Sequence, residues 1–198
     1  MTRTSTASQP SGKIARAVQE VAGFALQRIE HAVTGAVRPT MIANFAVTSR
    51  CNYRCASCGI GRAFLENPSV AERDMTLPEI EAFLVRDADT LRRVSWMQLT
   101  GGEPFLRADL VALVTTIAHH LPRCGLWIPT NGFAPDVIAE RTEMMLAYAK
   151  RLGIGVSLHG DEAMHDRFTG VPGAHTKAAA TLKNLAALRK RHPHLRLS

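Results

Sequence analysis

Three cysteines, Cys51, Cys55 and Cys58, lie within the eight-residue segment Cys-Asn-Tyr-Arg-Cys-Ala-Ser-Cys. Thiolates at this spacing can bind three irons of a [4Fe–4S] cube and leave the fourth iron without a protein ligand. Cubes that only carry electrons are usually closed by four cysteines. The spacing therefore predicts a cluster with one iron open to another ligand, and it disfavours a simple electron-transfer protein.

Other uses of cysteine fit this sequence less well. Structural zinc is held by four closed ligands, usually from two spaced pairs, and no second Cys or His pair with that spacing is present in the sequence. The remaining cysteine, Cys124, stands alone before a glycine. We expect Cys124 to be a small buried residue, because free cysteine is among the most buried residue types. A disulfide framework is not expected from this composition.

A second motif, Gly101-Gly102-Glu103-Pro104, follows a short apolar run that ends at Leu99. Two glycines at a strand end allow the backbone to approach a ligand closely. Glu103 offers a carboxylate to a cationic group such as an α-amino group. Alone this motif often marks a turn, but here it follows the next predicted strand after the cysteine loop. Parallel strands bring such loops to one edge of a sheet.

With these motifs the chain resembles the radical S-adenosylmethionine (radical SAM) superfamily, from about residue 41 to residue 198. Within it the chain is most similar to the branch of molybdopterin-precursor, pyrroloquinoline-quinone and peptide-modifying enzymes. The matching groups occur in the family's order: Cys51-x3-Cys55-x2-Cys58, Gly101 to Pro104, Thr130-Asn131-Gly132, Val156-Ser157-Leu158, His165-Asp166 and Gly170-Val171-Pro172-Gly173.

The resemblance implies both the cofactors and the reaction. A [4Fe–4S] cluster would be bound by Cys51, Cys55 and Cys58, and S-adenosylmethionine (SAM) would bind its open iron. Reductive cleavage of SAM would give a 5′-deoxyadenosyl radical that abstracts hydrogen from an unknown substrate, a small molecule or a peptide. No catalytic residue is assigned beyond the cofactor ligands. The implied SAM-binding residues are Gly101, Gly102, Glu103, Pro104, Asn131 and Ser157.

Three positions depart from the family's pattern. Ser57 replaces an aromatic residue before the third cysteine, and His159 replaces the acidic residue of Ser-Leu-Asp-Gly. Thr169 stands where an arginine often follows the His-Asp pair, although Arg167 is near. The last two departures concern the ligands beside the fourth strand. The histidines His119, His120 and His165 could bind metal, but without a matching carboxylate they are expected to be surface or capping residues.

Hydrophobic periodicity predicts the elements that position these loops. We expect strands over 42–48, 94–99, 125–130 and 153–158, followed by helices over 77–91, 107–120, 135–151 and 174–191. Thr76 and Glu79 form a predicted capping box at the first of these helices. Residues 195–198 resemble the opening of a fifth strand. The predicted fold is α/β, a partial (β/α) barrel with about four of the family's six βα units.

The length of 198 residues suggests one main domain over 41–198, incomplete at its C-terminus by comparison with the family. The alternative to an active enzyme is therefore a catalytically incompetent cluster-binding fragment or a partner-binding remnant. Residues 1–12 are predicted to be a disordered tail, and 13–40 an amphipathic helix with a linker. That helix could lie on a membrane surface or a partner, or pack on the barrel.

The net charge of +7 suits an acidic low-potential electron donor such as flavodoxin or ferredoxin. Nucleic acid is not inferred, because the basic residues are scattered except near Arg189 to Arg191. No apolar run in the sequence is long enough for a transmembrane segment. Oxygen-sensitive cluster chemistry predicts a reducing cytoplasmic location.

Overall fold

The computed structural model describes residues 42–198 and three isolated helical positions, Ala22, Leu26 and Val33. The predicted tail over 1–12 lies outside the described residues, as does nearly all of the predicted helix and linker over 13–40. Within the described part of the chain, no helix combines the length and apolar character needed to cross a membrane.

Five parallel strands form one open sheet in the order β1-β2-β3-β4-β5. This architecture confirms the predicted α/β class and the partial barrel. The last strand is short, and its two residues pair with Gly153 and Ile154, so the predicted opening of a fifth strand is also confirmed. The strands are β1 (Ile42–Thr48), β2 (Trp96–Gly101), β3 (Gly125–Thr130), β4 (Leu152–Val156) and β5 (Arg196–Leu197).

Seven helices accompany the sheet in the described residues. They are α1 (Gly59–Glu66), α2 (Leu77–Arg86), α3 (Ala88–Leu91), α4 (Leu110–His120), α5 (Pro135–Leu146), α6 (Glu162–Thr169) and α7 (Ala174–Arg191), with 3₁₀ turns over Pro68–Arg73 and Pro104–Leu106. The prediction for 174–191 is confirmed, but helix 77–91 divides at Asp87 and helix 135–151 ends at Leu146. The sequence prediction missed α1 and α6, which are eight residues each.

The predicted cap of α2 is present. The carboxylate of Glu79 accepts hydrogen bonds from the backbone N–H of Thr76 at 2.8 Å and from its hydroxyl at 2.7 Å. These bonds satisfy a donor at the helix start that the helix itself leaves unpaired. They also lower the pKa of Glu79.

The two faces of the sheet differ in their cover. In β2, Met97 and Leu99 are buried in the core shared with the helices, whereas Trp96 on the opposite face is only half-buried. The indole rings of the open face lie flat against neighbouring strands, where side chains larger than hydrogen would collide. A Cβ at Gly153 would come within 2.2 Å of the Trp127 ring. The tryptophan rings on this face therefore have room only because the neighbouring strand carries a glycine opposite each ring.

Candidate functional site

The cysteine loop begins where β1 ends, and Asp74 holds its first residues. The Asp74 carboxylate accepts hydrogen bonds from the Thr48 hydroxyl at 2.9 Å, the Ser49 backbone N–H at 2.8 Å and the Ser49 hydroxyl at 2.7 Å. Arg107, which is buried, donates to the carbonyl of Val47 at 2.6 Å. Charge-assisted bonds of this kind are stronger than neutral ones, so the loop leaves the strand in a fixed direction.

The glycine motif at the end of β2 packs directly against this loop. The N–H of Gly102 donates to the Thr48 carbonyl at 2.8 Å, and the N–H of Glu103 donates to the Arg50 carbonyl at 2.7 Å. A Cβ at Gly101 would lie 2.1 Å from the Thr48 oxygen, and a Cβ at Gly102 would lie 2.0 Å from the Arg50 oxygen. The glycines were expected to admit a ligand, but the backbone they approach is that of the cysteine loop.

Glu103 is buried, with 1% of its surface exposed. Its carboxylate accepts hydrogen bonds from the backbone N–H of Phe105 at 3.0 Å, the Thr130 hydroxyl at 2.9 Å and the backbone N–H of Asn131 at 2.7 Å. Burial disfavours the charged form and raises the pKa of Glu103 to about 7, against the opposing effect of these three bonds. Glu103 is therefore poised to ionise when a cation binds nearby.

Asn131, at the end of β3, connects three loops. Its side-chain amide donates to the Asn52 side-chain oxygen in the cysteine loop at 2.8 Å. Its own side-chain oxygen accepts the N–H of Phe133 at 3.0 Å. Ser157, just after β4, donates its backbone N–H to the Thr130 carbonyl at 2.9 Å and keeps an exposed side chain. The ends of β2, β3 and β4 thus meet beside the cysteines.

Helix α6 fixes the other side of the cysteine loop. The N–H of Arg54 donates to the Thr169 carbonyl at 3.1 Å, and the N–H of Ala56 donates to the Phe168 carbonyl at 2.8 Å. Asp166 accepts the N–H groups of His175 and Gly173, which lowers its pKa. The His-Asp pair and the turn that ends at Gly173 therefore build the connection to α7.

Two buried polar atoms near the cysteines have no partner among the described residues: the hydroxyl Oη of Tyr53 and Nε2 of His165. His165 is 1% exposed, so its expected role as a surface or capping residue is wrong. Its Nδ1 accepts the backbone N–H of His159 at 3.1 Å. Burial is the main cause that lowers the pKa of His165, and burial also raises the pKa of Tyr53 to about 12.

These groups line one cavity of about 190 Å³. Of the residues expected at the site, Gly101 and Pro104 are not among those that line it. Thr130, His159, His165 and Thr169 were noted in the sequence but were not selected as site residues. Tyr53 was missed, and its position between Cys51 and Cys55 was the available signal. The cavity is lined by Cys51, Tyr53, Cys55, Cys58, Thr100, Gly102, Glu103, Pro129, Thr130, Asn131, Ser157, His159, His165 and Thr169.

The three thiols of the cysteine loop are the candidate ligands for a metal centre in this cavity. All three cysteines are free and half-buried, and burial raises the pKa of Cys51 and Cys55. In the described residues, no group of three or more His, Cys, Asp or Glu side chains is arranged to hold one metal ion. The three cysteines line one cavity, as the ligands of a cube with one open iron would.

Cys124 lies away from this cavity. It is buried, as expected, and its thiol donates to the Gly125 carbonyl at 3.4 Å. It lines a different cavity of about 400 Å³ with Arg92, His119 and Arg123, and a further one of about 320 Å³ lies beside Trp96 and Trp127. Both are larger than the cysteine cavity, but neither is lined by any of the three clustered cysteines.

Comparison with known proteins identifies the family. A family model described as the Radical SAM superfamily matches residues 45–194. A probable GTP 3′,8-cyclase of Thermococcus kodakarensis is 36% identical over 138 residues, which cover 69% of this chain and 41% of that protein. The pre-heme d1 synthase of Dinoroseobacter shibae is 33% identical over 153 residues, covering 76% and 34%. The chain thus spans well under half the length of these relatives.

Solved structures share the fold at low sequence identity. Streptococcus suis SuiB superimposes with a TM-score of 0.59 at 16% identity, covering 99% of this chain and 40% of SuiB. Native anSMEcpe with bound AdoMet, which is SAM, has a TM-score of 0.56 at 16% identity, covering 79% and 42%. These similarities extend to the open parallel sheet and its helices.

Proposed function

The chain belongs to the radical SAM superfamily, and we propose that it binds a [4Fe–4S] cluster and reductively cleaves SAM. Cys51, Cys55 and Cys58 would bind three of the four irons. When bound, the cluster would supply one electron to break a carbon–sulfur bond of SAM, giving methionine and a 5′-deoxyadenosyl radical that takes hydrogen from a substrate. The family's enzymes use this cluster and SAM.

One observation carries the proposal: the three thiols line the same small cavity as the buried carboxylate of Glu103. None of the described lining residues is Lys or Arg. Three thiolates and a carboxylate would give this cavity negative charge. SAM carries a sulfonium and an ammonium group against one carboxylate, so its net charge is complementary to these walls.

In this proposal, the chain's own residues hold and orient SAM. Glu103 would accept the ammonium group, and its orientation is fixed by Thr130 and Asn131 through the bonds described above. Gly102 contributes backbone to the cavity wall, and Ser157 contributes an exposed hydroxyl. Such donors and acceptors need no rearrangement when their position is fixed in advance. The protein's contribution is therefore placement and shelter for the cofactors.

The electron donor is proposed to dock over α1 and the cysteine loop. Between Ser49 and Leu65 the chain carries three arginines and no acidic residue, and all three arginines are exposed. On α1, Ile60 and Leu65 are 44% and 48% exposed. Exposed apolar and basic side chains within one segment suit an acidic low-potential carrier such as flavodoxin or ferredoxin. A reducing, cytoplasmic setting would suit oxygen-sensitive cluster chemistry.

The substrate is proposed to be a small molecule or a peptide. Two relatives are named as enzymes of small-molecule synthesis, a GTP 3′,8-cyclase and a pre-heme d1 synthase. SuiB has been solved with its precursor peptide SuiA, and it matches this chain with a TM-score of 0.56. The second candidate, the alternative already named from the sequence, is a domain that binds the cluster but does not cleave SAM.

Anaerobic reconstitution followed by electron paramagnetic resonance tests the proposal. SAM should change the spectrum of the reduced cluster, because it would bind the open iron, and 5′-deoxyadenosine should then accumulate. A perturbed spectrum without 5′-deoxyadenosine would favour the second candidate. A spectrum that saturating SAM leaves unchanged would contradict both SAM binding at the cluster and the reaction.

A further inference from the structure

The two unpartnered buried atoms, Tyr53 Oη and His165 Nε2, belong to residues that line the cysteine cavity. Tyr53 is 3% exposed and His165 is 1% exposed. A buried polar atom without a partner costs free energy, and natural structures leave few of them without a reason. Two such atoms in residues lining one cavity indicate that a ligand completes their hydrogen bonds.

The hydrogen bond to His165 determines what this ligand must offer. Because Nδ1 of His165 accepts the N–H of His159 at 3.1 Å, the hydrogen of the neutral ring lies on Nε2. Nε2 is then a donor. The hydroxyl of Tyr53 can also donate. The missing partner is therefore a hydrogen-bond acceptor, to which both residues could donate.

The charges of the cavity narrow the choice of acceptor. SAM has one strongly accepting group, its α-carboxylate, and that group must avoid the carboxylate of Glu103. None of the described lining residues is Lys or Arg, so neutral donors must serve. We propose that Tyr53 and His165 form the subsite that receives the α-carboxylate of SAM. This inference rests on the proposed function.

The location of the pair agrees with this role. Tyr53 lies in the loop between Cys51 and Cys55. His165 lies on α6, whose last residues accept the N–H groups of Arg54 and Ala56 from the same loop. The subsite is thus attached to the loop that would bind the cluster.

Two variants remove the donors and leave other contacts in place. Tyr53→Phe removes only the hydroxyl. His165→Asn removes Nε2–H and keeps an acceptor close to the position of Nδ1 for the N–H of His159. The matched controls are Tyr148→Phe, whose tyrosine is 56% exposed, and His120→Asn, whose ring contacts Glu81 at 3.2 Å.

The experiment compares apo-protein melting, iron content, and binding of SAM and of decarboxylated SAM to the anaerobically reconstituted chain. Tyr53→Phe should melt no lower than the parent, because an unsatisfied group is removed. Each of the two variants should bind SAM roughly 10- to 100-fold more weakly, as expected for hydrogen bonds to a charged group. Iron content and binding of decarboxylated SAM should match the parent, and the control variants should change nothing.

Several outcomes would overturn the inference. If the parent binds SAM and both variants bind it equally well, the subsite is wrong while the proposed function stands. If the variants lose affinity for SAM and for decarboxylated SAM equally, then Tyr53 and His165 do not donate hydrogen bonds to the carboxylate. Lower melting of Tyr53→Phe with unchanged binding would assign the hydroxyl to packing alone. A reconstituted parent that binds no SAM would overturn the inference together with the proposed function.

Discussion

The Glu103 carboxylate accepts the backbone N–H of Asn131 at 2.7 Å, and this bond joins the ends of two neighbouring strands, β2 and β3. The same carboxylate accepts the Thr130 hydroxyl at 2.9 Å. A buried acid therefore holds the strand ends together and also faces the cavity of the three cysteines. Its protonation state should affect both the stability of the fold and the binding of a cation.

The raised pKa of Glu103 predicts that the stability of the folded chain depends on pH. Its pKa is about 7 in the folded chain, raised by burial from an ordinary value near 4.5. Between these values the folded chain binds a proton that the unfolded chain has lost, so this contribution to stability falls as pH rises from about 4.5 to about 7. Each pKa unit corresponds to about 1.4 kcal/mol. Denaturant unfolding of the apo-protein across this range measures the effect.

Glu103→Gln should remove that component of the pH dependence. It should also weaken SAM binding and abolish the rise in SAM affinity expected as pH passes through about 7 in the parent. The exposed Glu79 provides a control, because Glu79→Gln makes the same substitution at a residue that does not line the cavity and should leave SAM binding unchanged. A parental pH slope that persists in Glu103→Gln would assign the titration to another group.

The cysteine assignment predicts that each of three single variants loses the cluster. Cys51→Ala, Cys55→Ala and Cys58→Ala should each fail to retain about four irons and four sulfides per chain after anaerobic reconstitution, because a cube needs all three thiolates. Cys124→Ala should retain them, since Cys124 lies in a different cavity. Iron and sulfide analysis makes the comparison. Full retention in Cys55→Ala would remove the basis of the assignment.

The sequence predicted the sheet and the cysteine loop because both depend on local patterns. The apolar run that ends at Val47 and the spacing of the cysteines can be read without knowing any contact. Helix α6 was missed because it has only eight residues and most of them are polar, so few apolar positions could mark a buried face. The role of Tyr53 and His165 could not be read, because burial without a partner is a property of the assembled fold.

Gly102 was selected from the sequence as a SAM-binding residue, and in the structure its backbone closely approaches the cysteine loop. A Cβ at this position would lie 2.0 Å from the Arg50 carbonyl oxygen, so Gly102→Ala must push the two loops apart. We expect a loss of about 1–3 kcal/mol in unfolding free energy together with reduced iron incorporation. Gly59→Ala is the matched control, because a Cβ at Gly59 meets no atom within 4 Å. Equal stability of the two variants would contradict the tight contact between these loops.

If the electron donor docks over α1 and the cysteine loop, reversing the charges there should slow reduction of the cluster. Arg50 and Arg62 are exposed beside the cysteines, and oppositely charged partners associate faster when such rim charges are complementary. The double variant Arg50→Glu/Arg62→Glu should be reduced roughly tenfold more slowly by an acidic flavodoxin at low salt. Because salt screens exposed charges, the difference should shrink as ionic strength rises.

Stopped-flow absorbance of the reconstituted cluster measures this reduction, with a small uncharged reductant that should reduce parent and variant equally. The control is Arg189→Glu/Lys190→Glu, which makes the same charge change in the last turn of α7. Equal slowing in both double variants would attribute the effect to net charge rather than to a surface beside the cluster. Slowing confined to the Arg50 and Arg62 variant would locate electron entry at the cysteine loop.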